Sequence, residues 1–333
     1  DKAVEEARDR VSAALKNSGF ESPKSKNQRI VVSLAPAHIK KEGSIFDLAI
    51  AIGYLLAEEE IKADHKKKLF LAELSLDGYL RPIKGVLPLI VKAKSEGFEE
   101  VYVSKDNEVE ASLIPDIKIF SALTLKDITE HLLKKKLITE SPKTKVSFTR
   151  KENSYDLADI KGQEAGKRGL IIAASGGHNI ALFGPAGTGK TMLARSFRSI
   201  LPELNFDELL EVTSIHSIAG VLEGDFAKER PFRSPHHTSS YVALVGGGAS
   251  PRPGEITLAH RGVLFMDEFP EFDRRVMESL RQPLEDRVVS IARSKGTAQF
   301  PANFILVAAM NPCPCGNMGS TKPCTCTPIS IIR

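Results

Sequence analysis

The segment Gly184 to Thr191 reads GPAGTGKT, and Gly262 to Glu268 reads GVLFMDE. The first fits G-x-x-x-x-G-K-[ST], a spacing in which successive backbone N–H groups turn inward on phosphate oxygens. Gly184, Gly187 and Gly189 free the backbone for conformations that a side chain forbids, and Pro185, Ala186 and Thr188 complete the loop. Lys190 is expected to reach the β and γ phosphates of ATP, and Thr191 to give its hydroxyl to Mg²⁺. In the second segment Asp267 is expected to hold the magnesium shell and Glu268 to polarise the attacking water. The chemistry implied is Mg²⁺-dependent ATP hydrolysis.

Such a site needs a strand before the loop and a helix after it. The apolar run Ile180 to Phe183 and the helical stretch Met192 to Ile200 supply them. Val263 to Met266 reads as a strand buried on both faces, which carries Asp267 and Glu268 out at its carboxyl end. After it, Arg274 to Leu280 reads as a helix. Two alternating stretches around Ser294, Lys295 and Gly296 read as a β-hairpin with a basic tip. Phe304 to Asn311 (FILVAAMN) reads as a buried strand ending in a polar residue. Between Ser214 and Gly254 lies a long insertion rich in Gly, Pro and His, with Arg233, His236, His237 and Gly246 to Gly248. A loop of that length inside a compact domain is usually functional or mobile.

The first half reads as a separate mixed domain, residues 1–133. Strand-like runs (Arg29 to Leu34, Lys68 to Leu74, Glu100 to Val103, Ile117 to Phe120) alternate there with helical ones (Phe46 to Glu60, Val86 to Glu96, Leu125 to Leu133). Residues 134–154 read as an exposed linker, with seven Lys or Arg against one acid up to Lys151. Residues 155–333 form the second domain. At 333 residues, 42% apolar and 26% charged, the chain suits two cores. No run of 18 apolar residues exists, so no membrane span is expected. Residues 1–19 read as an amphipathic helix closed by Gly19 rather than a signal peptide, with a cytoplasmic location as the default. A formal charge of +4 is too mild to identify a nucleic-acid partner.

Several strings resemble the ComM/YifB family of magnesium-chelatase-like AAA+ ATPases. They are Val32 to Leu55, Leu71 to Pro88, Asp156 to Leu170, FRSPHHT (Phe232 to Thr238), Gly254 to Phe272 and NPCPCG (Asn311 to Gly316), and they span essentially the whole chain. The resemblance implies a Lon-protease-like α+β domain, then an α/β AAA+ domain with a mainly parallel sheet. It implies a ring, commonly a hexamer, and work on DNA such as helicase-type branch migration in recombination or natural transformation. Asn311 then resembles the first sensor of AAA+ proteins, and Ile160 and Gly162 resemble the segment bordering the adenine. Arg293 and Lys295 at the hairpin, with Arg233 in the insertion, are the candidate DNA contacts. Packing or subunit contact is the expectation for His236 and His237. Against the family pattern the chain lacks an initial segment and ends before the region of the arginine finger and second sensor. Those residues are not assigned, and the fragment alone is expected to bind ATP yet hydrolyse it poorly.

A Lon-type peptidase needs a serine activated by a lysine. Laid on that motif, Ile45 occupies the nucleophile position with Ser44 one place early, and Leu87 falls where the lysine should be. The domain is expected to be non-catalytic, with Lys84 near Ser44 as the residual alternative. Cys313, Cys315, Cys324 and Cys326 are all the cysteines of the chain, spaced C-x-C-x₈-C-x-C. Four thiolates can close a tetrahedral Zn²⁺ site, although structural sites more often put about two to four residues between paired ligands. Unligated thiols are the second reading and disulfides the third. Two other functions stay open for the whole chain: a chelatase-type motor working with a protein partner, and a nucleotide-switched scaffold.

Overall fold

The computed structural model describes residues 2–23, 30–34, 44–146, 155–248, 251–293 and 296–332. Its contacts divide the chain into Asp1–Val146 with Gly220–Phe226, and Ser147–Ala219 with Ala227–Arg333.

In the first unit, helix α1 (Lys2–Asn17) buries Val11, Ala14 and Leu15 against α2 (Asp47–Ala57), whose Leu48, Ala51, Ile52 and Leu55 lie in the same core. Three strands follow, β1 (Lys68–Leu71), β2 (Glu73–Leu74) and β3 (Leu80–Arg81), then α3 (Val86–Ser95), β4 (Glu100–Ser104), α4 (Glu108–Ala111), β5 (Lys118–Ala122) and α5 (Leu125–Leu132). β1, β4 and β5 form a parallel sheet in that order, and β2 pairs antiparallel with β3. Tyr102 on the central strand stacks between Phe70 and Phe120, with ring centroids 4.9 and 5.3 Å apart. The buried Asp47 accepts from Arg10 Nε at 2.8 Å, which ties the two helices at their polar edge.

Two expectations for this half need correcting. Ile30 to Leu34 carry no strand, and Ile30, Val31 and Val32 are exposed. β-branched residues favour a strand only where a partner ladder exists to receive them; Arg29 lies outside the described residues. Nor do residues 134–146 run free as a linker. Ser141 is buried and donates to Glu108 at 2.7 Å, Lys143 donates to the Ile114 carbonyl at 3.2 Å, and Thr144 donates to the Val109 carbonyl at 2.8 Å. The lysines of this stretch are exposed as expected, and among their side chains Lys143 alone donates to carbonyls, those of Ile114 and Ile117 between α4 and β5. Residues 147–154 lie outside the described set.

The second unit begins with α6 (Glu164–Gly176), β6 (Ile180–Phe183), α7 (Lys190–Ile200) and α8 (Phe206–Ala219). It continues with β7 (Phe232–Arg233), α9 (Tyr241–Val245), β8 (Gly246–Gly247), β9 (Arg252–Pro253), α10 (Glu255–Leu258) and β10 (Val263–Met266). The remaining elements are α11 (Arg274–Ser279), α12 (Arg281–Asp286), β11 (Val288–Arg293), β12 (Gly296–Pro301), β13 (Ile305–Met310) and α13 (Pro328–Ile332). Four strands make one parallel sheet in the order β6-β13-β10-β7. β10 is buried at all four positions, as a central strand covered on both faces must be. One face takes Leu170, Ala173 and Ala174 of α6 and Leu193, Ala194 and Phe197 of α7, spaced to form one apolar helix stripe. Leu264 and Met266 belong to a second core with Val276, Leu280, Val289, Ile291 and Phe304. β11 and β12 form the expected antiparallel hairpin, Val288 opposite Pro301 through Arg293 opposite Gly296.

The entry to β10 is fixed by charge. Arg261, in the left-handed region at φ 61°, donates to Glu211 at 2.7 Å and to Glu208 at 3.4 Å. The buried His260 contacts Glu211 through Nε2 at 2.9 Å, while its Nδ1 accepts the Asn303 N–H at 3.0 Å. With Nδ1 accepting, the ring is neutral with its proton on Nε2, and burial holds its pKa below the ordinary 6.5. The hydrogen bond from Arg261 pulls Glu211 below the ordinary 4.5. Both shifts favour the folded state at neutral pH and lose that contribution as acid is added, His260 from about pH 6.5 downward and Glu211 from about pH 4.5 downward. A Glu211→Gln variant should therefore have a lower urea midpoint at pH 7, and its deficit against the native chain should shrink as pH drops well below 4.5. A deficit independent of pH would contradict a charge-based role.

Candidate functional site

Because β6, β13 and β10 lie side by side and run the same way, the residues leaving their carboxyl ends converge. β6 feeds the loop Gly184 to Gly189, in which Gly187 (φ 78°) and Gly189 (φ 87°) take left-handed conformations, and α7 starts at Lys190. The loop is closed by Thr188 Oγ1 donating to the Pro185 carbonyl at 2.9 Å, and Gly184 N–H reaches the Met310 carbonyl of β13 at 3.3 Å. Lys190 Nζ donates to the carbonyls of Gly184 (2.7 Å) and Pro185 (2.8 Å) and to Asn311 Oδ1 (3.0 Å). All three ammonium protons are thus engaged. Burial pushes this lysine's pKa down, with Asp267 opposing.

Thr191 Oγ1 donates to Asp267 Oδ2 at 2.9 Å. Two hard oxygen donors from the helix start and the β10 end therefore already meet, which fits the preference of Mg²⁺ for one or two protein oxygens beside phosphate. Glu268 follows in the left-handed region at φ 51°, an uncommon conformation for a glutamate. Its Oε2 lies 3.0 Å from His237 Nδ1. His237 in turn meets the His236 ring at 4.2 Å and the Phe272 ring edge-on at 6.5 Å.

The structure brings together Lys190, Thr191, Asp267, Glu268 and Asn311 as their spacing implies. It treats other candidates differently. Ile160 is a core residue beside α7, so its side chain is taken by packing; Gly162 keeps a left-handed turn at φ 67°. Gln163, which the sequence reading passed over, donates to the Thr188 carbonyl at 3.0 Å and so braces the loop from outside. The stretch 214–254 is not a single loop but carries the end of α8 with β7, α9, β8 and β9. Arg233 is committed in it to a two-pronged ion pair with Glu255, at 2.6 and 2.7 Å, and is no open cation for a DNA phosphate. Arg293 ends β11, and Lys295 lies outside the described residues. In the first unit, the Ser44 hydroxyl donates to Glu73 and Leu87 is fully buried, a pairing unlike a serine activated by an amine.

Packing or subunit contact is the expectation for His237 as for His236; its link to Glu268 is made through space, and adjacency in FRSPHHT gives no sign of it. A cavity of about 390 Å³ lies at the other end of the sheet, lined by Asn179, Arg230, Gly262, Arg287 and Ile305. It holds none of the catalytic candidates. The four cysteines form one group, with every sulfur within 4.8 Å of the others.

A parallel sheet with a glycine loop, a lysine, a Thr191–Asp267 oxygen pair and a glutamate at its carboxyl edge has the architecture of a P-loop domain of the AAA+ type. The family model for magnesium chelatase, subunit ChlI, matches residues 156–333, and that for subunit ChlI of Mg-chelatase matches residues 1–107. The chain belongs to this magnesium-chelatase family. It is 48% identical to competence protein ComM of Haemophilus influenzae over its whole length and 65% of that protein. It is 45% identical to YifB of Escherichia coli strain K12 over 99% of the chain and 64% of that protein. The chain thus spans just under two thirds of these relatives. A cryo-EM structure of the BchI–BchD complex of magnesium chelatase aligns with 54% of the chain and 65% of its own, at 24% identity and a TM-score of 0.39. That likeness adds nothing to the assignment.

If His237 holds Glu268 away from water, His237→Ala in the full-length protein should raise basal ATP turnover about threefold or more and leave ATP affinity within about twofold. Unchanged turnover, measured by phosphate release, would make the contact incidental.

Proposed function

We propose that the chain is the ATP-hydrolysing portion of a ring motor that acts on DNA, single-stranded or branched, in the helicase or branch-migration manner. The observation that carries the ATPase part is the meeting of Lys190, Asn311, Thr191, Asp267 and Glu268 at three adjacent strand ends. Lys190 exchanges its loop carbonyls for phosphate oxygens, neutralising charge on the triphosphate. Thr191 and Asp267 would hold Mg²⁺, which supplies further charge neutralisation when bound. Glu268, once off His237, orients and deprotonates the attacking water, and Asn311 reports the state of the phosphate to β13. A homo-oligomer, with six subunits as the working number, and a cytoplasmic setting go with this reading. No described helix is long and apolar enough to cross a membrane.

The DNA part rests on the ComM likeness and on the hairpin. Val289 and Ile291 of β11 and Phe304 ahead of β13 share one core with Met266 of β10. A shift at the nucleotide can therefore pass to the hairpin without a flexible joint, and Lys295 at its tip would touch the DNA backbone. Phosphate contacts give affinity without sequence information, which suits a motor that passes over any sequence. The family's chelatase members support a second reading, a motor driving metal insertion with a protein partner.

The two readings separate by ATPase rate of the full-length protein with and without single-stranded and branched DNA: stimulation supports the DNA motor, and indifference to both supports the chelatase reading. At the site itself, Lys190→Ala should lose ATP binding, whereas Glu268→Gln should keep it and lose turnover by about 100-fold or more. Full turnover in the Glu268→Gln protein would remove its assigned role. Lys295→Ala should keep basal ATPase, lose most DNA stimulation, and bind DNA with a shallower dependence on salt. An unchanged salt slope would make the hairpin tip structural.

A further inference from the structure

The segment from Cys313 to Thr327 has almost nothing to fold around. Only Cys313 and Gly316 are buried in it, and it contains no helix or strand before α13. Its order comes from sulfur. Cys313, Cys315 and Cys324 stand 3.4, 3.6 and 3.6 Å apart in pairs, and Cys326 lies within 4.8 Å of all three. A disulfide would bring two sulfurs to about 2.05 Å, and an iron–sulfur cluster would set several atoms between its cysteines. Four thiolates about a single zinc ion, at about 2.3 Å each, have edges of about 3.8 Å. Two backbone N–H groups point at sulfur, Met318 at Cys313 (3.3 Å) and Cys315 at Cys326 (3.4 Å), as donors do around metal-bound thiolates.

The same loop touches the nucleotide site twice. One residue, Pro312, separates Asn311 from Cys313. Between the second and third cysteines, Gly316 turns at φ 75°, donates to the Cys313 carbonyl at 2.9 Å, and accepts the Ala186 N–H of the phosphate loop at 3.2 Å. A side chain at Gly316 would stand 3.2 Å from the Ala186 Cβ, so the two loops are in direct contact.

We propose that Cys313, Cys315, Cys324 and Cys326 bind one zinc ion, and that the metal-closed loop is a clamp which holds the phosphate loop through Gly316 and fixes Asn311 beside Lys190. The metal takes the place of an apolar core for this loop, since four ligand bonds order a segment that buries too little to order itself. The clamp, though not the metal, rests on the reading of Gly184 to Thr191 as an ATP site.

The test uses full-length protein purified anaerobically, with metal content by mass spectrometry and binding of a fluorescent ATP analogue at fixed Mg²⁺. The native protein should carry one zinc per chain, and a Cys324→Ser/Cys326→Ser protein should lose it and bind the analogue about tenfold more weakly. Gly316→Val keeps all four cysteines and should retain zinc while still weakening the analogue, which guards against a double variant that simply fails to fold. Lys190→Ala should retain zinc and lose the analogue, so failure of the nucleotide reading shows separately from failure of the metal. Absence of stoichiometric zinc, or iron in its place, would overturn the metal assignment. Zinc with undiminished analogue binding in both the double variant and Gly316→Val would overturn the clamp.

Discussion

The parallel pairing of β13 with both β6 and β10 is the constraint on which the site depends. Its register, Val307 opposite Ile180 and Val263 opposite Ile305, brings three chain segments far apart in sequence to one edge in step. Asn311 and Asp267 then need no long reach: they leave the ends of β13 and β10 and meet Lys190 and Thr191, at the start of α7, at ordinary hydrogen-bond distance. A slip of one residue in β13 would turn Val307 and Ala309 out of the core and carry Asn311 away from Lys190. The buried faces of β10 and the stripe on α7 therefore position these side chains as well as stabilise the unit.

This ordering explains why so much of the site was legible from residues alone. The glycine loop, Lys190, Thr191 and the Asp267–Glu268 pair stand out because the geometry of phosphate and magnesium leaves few residue types able to serve in such a site. Helical runs located α2 and α3, alternation located the β11–β12 hairpin, and short apolar runs located β4, β10 and β13, because each of these elements buries its apolar residues. The misses share a physical cause. Ile30 to Leu34 has strand-like residues with no ladder to join, and residues 134–146 keep exposed lysines yet are tied back by Ser141, Lys143 and Thr144. Arg233 looks like a spare cation until Glu255 is placed against it. His237 and Gln163 act through contacts made only by folding, and no local pattern announces such contacts. Ile160, expected beside the adenine, has its side chain in the core.

The surroundings of the phosphate loop suggest how one edge can both bind and signal. The loop is braced by Gln163 on one side and by Gly316 on the other, while its lysine is held by its own carbonyls and by Asn311. Glu268, itself exposed, has Oε2 3.0 Å from His237 Nδ1. Exchanging these contacts for phosphate and water would move groups attached to β13, to the cysteine loop and to the base of the hairpin together. Bistable polar contacts of this kind, set on rigid strands, are how small local changes become larger displacements.

The most direct measurement is a structure of the full-length protein with a non-hydrolysable ATP analogue and Mg²⁺. The account predicts the triphosphate on the backbone of Gly184 to Gly189, with Lys190 moved from its loop carbonyls to phosphate oxygens. Thr191 and Asp267 should both face the magnesium, and Glu268 should be released from His237. An analogue bound elsewhere, such as the cavity at the opposite end of the sheet, with Lys190 still on Gly184 and Pro185, would contradict it.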